Sequence, residues 1–91
     1  MKATKIKMKP GCGSSNNLLE IDSIYLTGCS NEGFFTKAIV HDYVKENPGS
    51  IQVNIYPYPD VIHALSIYGE KYVKSTPDST TKDNLLNLPR E

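Results

Sequence analysis

Cys12, Cys29, His41 and His63 have the side-chain types, and the number, of a tetrahedral zinc centre. Structural zinc sites draw their ligands in pairs about two to four residues apart on tight knuckles, whereas these four stand singly along the chain. The spacing argues against a metal, and no metal or other cofactor is expected. A cysteine nucleophile needs a thiolate held beside a base in a cleft. Cys29 does precede a helical segment carrying His41, but no hydrolase signature surrounds either residue, and Cys29 reads as a half-buried loop residue. His63 alternates with Val61, Leu65 and Ile67, as a hydrogen-bonded histidine on an apolar strand face would. Asp42 and Glu46 are neighbours at i, i+4 beside Lys45, the pattern of a solvated helix face rather than a catalytic dyad. Gly11, Cys12 and Gly13 lack the Gly-Lys-Ser/Thr that completes a phosphate loop. No catalytic residue is expected, and the chain does not read as an enzyme.

Binding chemistry is better supplied. Tyr56, Tyr58, Tyr68 and Tyr72 cluster in sequence, with Lys71 and Lys74 beside them. Tyrosines bring large contact area with few rotors to protein interfaces, and among basic residues they stack nucleic-acid bases. Asp78, Asp83 and Asn84 form a polar loop able to bond nearby backbone amides or to dock a partner. The candidate partner-binding set is therefore Tyr56, Tyr58, Tyr68, Tyr72, Lys74, Asp78, Asp83 and Asn84. The expected function is a small non-catalytic protein-interaction module, acting as a monomer or weak dimer. The alternative is a nucleic-acid-binding accessory protein, because Lys2, Lys5, Lys7 and Lys9 concentrate positive charge at the start of a chain of zero net charge.

The elements that must position these residues follow from hydrophobic periodicity. Residues 1 to 17, lysine-rich and then rich in Gly, Ser and Asn, offer little apolar surface and read as a mobile arm, with a short edge strand at Ile6 and Met8 as a variant. Residues 18 to 91 read as a single domain. Leu19 to Thr27 has the β-branched and aromatic content of a strand closed by Gly28. The run from Phe34 to Asn47 places Phe35, Ile39, Val40, Tyr43 and Val44 at helical spacing, with Lys37, His41 and Lys45 opposite. Thr36 is a candidate N-cap, and Asn47-Pro48-Gly49 a helix stop. Ser50 to Tyr56 alternates as a half-buried antiparallel strand, with Ile51, Val53 and Ile55 inward. Val61 to Ile67 and Lys71 to Ser75 flank a turn as a β-hairpin, and the leucines of LLNLP fold back onto the core.

The closing run YVKSTPDSTTKDNLLNLP, from Tyr72 to Pro89, resembles the C-terminal signature of the DUF3892 family, small bacterial domains of unknown function. The resemblance implies a scaffold and no catalytic residues. The chain departs from the family pattern at Ser79, where such domains carry glycine. It departs again at CSNEGFF, which leaves no room for a further strand before the helix, so the sheet is expected to be one strand short.

Together these readings give an α+β fold, a small three- to four-stranded, mainly antiparallel sheet with one helix packed on one face. Length agrees, since 91 residues make one domain that buries about 60–65% of its unfolded surface. With 38% apolar and 22% charged residues the composition is globular. The chain carries no apolar stretch of signal-peptide or membrane-span length, and PGCGSSNN follows Lys9 where an export signal would be apolar. A cytoplasmic protein with reduced thiols and no membrane contact is expected.

Overall fold

The computed structural model of the chain describes residues 1–76 and 83–91. Among the described residues six strands and one helix follow in the order β1 (Lys2–Met8), β2 (Ile21–Thr27), β3 (Gly33–Thr36), α1 (Lys37–Glu46), β4 (Gln52–Val53), β5 (Val61–Leu65) and β6 (Lys71–Ser75). Short 3-10 turns at Leu18–Glu20 and Asn84–Asn87 complete the fold. The class is α+β: one helix against a four-stranded sheet of order β3-β2-β1-β4 and a β5-β6 hairpin.

The expected mobile arm is instead the spine of the sheet. β1 pairs antiparallel with β2 along its length and parallel with β4 at Lys2 and Ala3. Its remaining edge takes the chain's other end, where the Ile6 amide donates to Pro89 O (2.9 Å) and the Glu91 amide to Ile6 O (3.0 Å). Simple alternation hides this strand, because Ala3 and Ile6 are three residues apart and would face opposite ways. A bulge resolves the conflict: Ala3 pairs with Leu26 and Lys5 with Tyr25, leaving Thr4 unmatched. Ala3, Ile6 and Met8 all turn inward and are buried. A second irregularity, at Asp22, keeps Ile21 beside Met8.

The loop after β1 is fastened as well. Arg90 donates to Gly13 O (2.9 Å), Ser15 O (2.7 Å) and Leu86 O (2.9 Å). The Glu20 carboxylate accepts from the Cys12 thiol (3.1 Å) and from Ser15 Oγ. Those two hydrogen bonds, Ser15 first, hold the Glu20 carboxyl below its ordinary range, and the carboxylate in turn pushes the Cys12 thiol up.

Further corrections concern the next elements. CSNEGFF does contain the missing strand: Gly28, at φ 81°, reverses the chain, and Gly33 to Phe35 pair with β2 before Thr36 caps the helix by accepting from the Ile39 amide. The sheet therefore has its fourth strand, and Phe35 belongs to β3 rather than α1. β4 is only two residues long and runs parallel to β1, so the sheet is mixed. Beyond it the Val61 amide donates to Ile51 O (2.8 Å) and the Val53 amide to Pro59 O (2.9 Å), which joins the hairpin to the sheet and curls both around α1.

The C-terminal signature closes the core. Asp83 accepts from the Ser75 amide (3.0 Å), Ser75 Oγ (3.0 Å) and the Leu85 amide (2.9 Å), capping the last 3-10 turn against the end of β6. Leu85, Leu86 and Leu88 are buried with Ile6, Ile24, Val40, Val53 and Val73 in one cluster. The tether expected from these leucines and Asp83 is present. Asp78 and Ser79 lie outside the described residues.

Two variants test this packing. Ile6→Ala is expected to lower stability by about 2–5 kcal/mol in urea unfolding, the range for a fully buried aliphatic side chain; a mobile arm would make it neutral. Asp83→Ala is expected to cost about 1–3 kcal/mol by removing a cap and stranding the Ser75 donors.

Candidate functional site

The hairpin turn lies beside the start of α1, where Gly69 and Glu70 share a cleft with Asp22, Thr36 and Lys37. Residues 66–70 link β5 to β6, with the Gly69 amide donating to Ser66 O (2.9 Å) and Gly69 at φ 79°. Ser66 Oγ accepts from the Tyr68 and Glu70 amides (3.2 and 3.0 Å), so the turn is locally bonded. It presents Leu65, Ile67 and Tyr68 to solvent, 60%, 92% and 92% exposed.

Ion pairs brace this hairpin against the helix and against Lys9, the residue after β1. Lys71 Nζ reaches Asp42 Oδ1 at 2.9 Å, and Glu70 Oε2 lies 2.8 Å from Lys37 Nζ and 3.6 Å from Lys9 Nζ. Lys71, then His41, holds the Asp42 carboxyl below its ordinary range. Lys37, then Lys9, does the same for Glu70.

The helix is turned from the orientation that periodicity suggested. His41, expected in solvent, is buried with Val40 and Val44, because the hairpin covers that side of α1. Its Nδ1 lies 2.9 Å from Asp42 Oδ1, and its ring meets His63 edge to face at 5.4 Å. Its Nε2 is buried without a hydrogen-bond partner among the described residues. His63 is exposed rather than a core or boundary residue, since only Val61 at the base of β5 reaches the core.

The same rotation leaves Ile39 and Tyr43 half in solvent. With Phe35, Leu26, Met1 and Cys29 they line a groove of about 310 Å³ beside β3. Sequence reading placed Ile39 and Tyr43 on the apolar face of the helix with Val40 and Val44; the signal of a separate surface was an apolar stripe wider than one face needs. Cys29 lines this groove while His41 meets His63 on the hairpin side. Among the described residues no three Cys, His, Asp or Glu side chains are grouped to hold a metal ion.

The tyrosines divide into separate places. Tyr56 and Tyr58 meet edge to face (6.1 Å) in the loop before β5, and Lys2 Nζ lies 4.6 Å from the Tyr58 ring. Tyr68 stands at the hairpin tip, about 15 Å of strand away from that loop. Tyr72 faces away from the tip's surroundings into a cleft of about 570 Å³ shared with Asp83, Leu18 and Leu86. Asn84 is buried, its amide donating to Ser75 Oγ (3.3 Å). Lys74 pairs across the hairpin with Ile62. Of the eight expected residues the structure thus joins Tyr56 with Tyr58, and Tyr72 with Asp83; Asp78 is not among the described residues.

The outer face of the four-stranded sheet is the last surface, and sequence reading missed its aromatic half. The register aligns Lys5, Tyr25 and Phe34 in one row across β1, β2 and β3. Tyr25 and Phe34 meet edge to face at 5.1 Å, with Lys5 Nζ 4.6 and 5.9 Å from their centroids. Glu91 accepts from Lys5 Nζ at 2.8 Å and raises its pKa.

No helix among the described residues is long and apolar enough to cross a membrane. Neither curated proteins nor solved structures yield a match to this chain. A family model described as "Protein of unknown function (DUF3892)" matches residues 3–89, from the first buried residue of β1 to the proline that bonds Ile6. That span takes in the bulged strand, the helix, the hairpin and the Asp83 tether alike, and the chain belongs to the DUF3892 family.

Proposed function

We propose that this chain is a non-catalytic, cytoplasmic protein-interaction module that inserts its hairpin tip into a pocket on another protein. The observation that carries the reading is the exposure of Ile67 and Tyr68, 92% each, on the turn that follows Leu65 at the end of β5. Isolated apolar side chains on a surface are ordinary, but here three large ones fall within four residues of one hairpin. An aromatic and an aliphatic anchor presented together match the way a few buried residues dominate interface energies. The turn is already fixed by Ser66 and Gly69, and the strands behind it by the Asp42 and Glu70 pairs, so little order remains to be imposed on binding.

The tip is tested by a photo-crosslinking side chain placed at position 67, with position 45 on the exposed helix face as the control. A discrete crosslinked protein at 67, absent at 45 and lost in Tyr68→Asp, is the expected outcome. Equal crosslinking at both positions contradicts the reading. Ile67→Asp and Tyr68→Asp should leave the urea midpoint within about 0.5 kcal/mol of the parent, because these positions make no core contacts.

The bracing makes a separate prediction in pH. Asp42, Glu70 and Glu20 hold their protons more weakly in the folded chain than in the unfolded one. Their contribution to stability is therefore complete above the ordinary carboxylate range, about pH 4, and is lost as pH falls through the lower folded values. Urea midpoints measured from neutral pH to about pH 3 should drop, and Glu70→Gln should show a smaller drop than the parent.

A further inference from the structure

We infer that the outer face of the β3-β2-β1-β4 sheet is a binding surface for single-stranded nucleic acid. The inference begins with the bulge at Thr4. In a regular strand Lys2 and Lys5 would point to opposite faces; with one residue unmatched, Lys2, Lys5 and Lys7 share the face opposite Ala3, Ile6 and Met8. Lys5 and Lys7 are then about 7 Å apart along one strand.

Aromatic rings stand beside this basic line. Tyr25 and Phe34 lie in the Lys5 row, and Tyr58 lies under Lys2. Ser23 and Thr36 occupy the Lys7 row, where Ser23 is buried with its hydroxyl donating to Asp22 Oδ2 (3.2 Å) and Thr36 caps α1. A protein ligand would be served by apolar aromatics with charge at the rim, whereas here the ammonium groups are interleaved with the rings. That interleaving suits a ligand carrying regular negative charge and flat bases together, which is the chemistry of single strands.

The charges already present are weakly committed. Lys7 has no ion pair among the described residues, and Lys2 has only the Tyr58 ring. Lys5 is paired with Glu91, but both groups are substantially exposed, at 34% and 53%, where such pairs contribute little. A phosphate can take the place of the Glu91 carboxylate. This surface is distinct from the hairpin tip, so one chain carries two separable contacts.

Fluorescence anisotropy of a labelled oligothymidylate crossing the sheet tests the inference on the full chain. Binding is expected to weaken as salt rises, with a log–log slope of about −2, from three lysines at about 0.7 each. Replacing Lys2, Lys5 and Lys7 by glutamine together should remove the binding, and Phe34→Leu should weaken it at least ~5-fold through lost stacking. Glu91→Gln should strengthen it by freeing Lys5, an effect that general damage to the fold cannot mimic. Ile67→Asp should leave it unchanged, which separates this surface from the hairpin-tip reading. Thermal melts of each variant confirm folding. Absence of oligonucleotide binding, equal binding of polyglutamate, retention of full affinity in Phe34→Leu, or binding of anionic vesicles in place of the oligonucleotide would each overturn the inference.

Discussion

Everything else in this fold depends on how β1 lies between its neighbours. One unmatched residue, Thr4, reconciles a sequence in which apolar positions are three and then two apart with a sheet whose faces alternate strictly. Without the bulge, either Ala3 or Ile6 would point away from α1 and a lysine would enter the core. Burying an unpaired lysine is far more costly than leaving one amide pair unformed, so the irregular register is the stable one. The same event sorts the charges: apolar residues go to the helix side, and Lys2, Lys5 and Lys7 to the other.

Closure of the fold uses the two chain ends. β1 would be exposed on one side beyond Ala3, and Pro89 to Glu91 fill that gap by bonding Ile6. The segment is held there by buried leucines and by the Asp83 and Arg90 hydrogen bonds, which satisfy amides and carbonyls that regular ladders leave over. The surface ion pairs act differently. Lys71 with Asp42 is exposed and adds modestly to stability, and Lys37, 11% exposed, meets Glu70 at the surface; together they brace the hairpin against the helix. The hairpin tip and the outer face of the sheet therefore both rest on braced supports.

Elements whose local chemistry agrees with their environment were legible from sequence. Thr36 as a cap, Asn47-Pro48-Gly49 as a stop, the hairpin around Gly69 and the leucine tether each announce themselves through a side chain or a backbone requirement. Elements decided by what packs on them were not. β1 was hidden because its bulge breaks the period of two that strand recognition relies on. Phe34 and Phe35 carried an apolar signal equally suited to helix or strand, and only pairing with Tyr25 and Ile24 settles it. His41 looked like a solvent residue because the hairpin that buries it comes later in the chain. The candidate surfaces follow the same division. Tyr68 was visible as a turn aromatic, whereas the row of Lys5, Tyr25 and Phe34 assembles residues from three strands and has no sequence spacing of its own.

The most direct test of this account is native-state hydrogen exchange at the Ile6 amide, which the structure bonds to Pro89 O and sets in the middle of β1. The account predicts that this amide exchanges only through global unfolding, with an opening free energy equal to that from urea denaturation. Exchange at the rate of an unstructured peptide would contradict the central place given to β1.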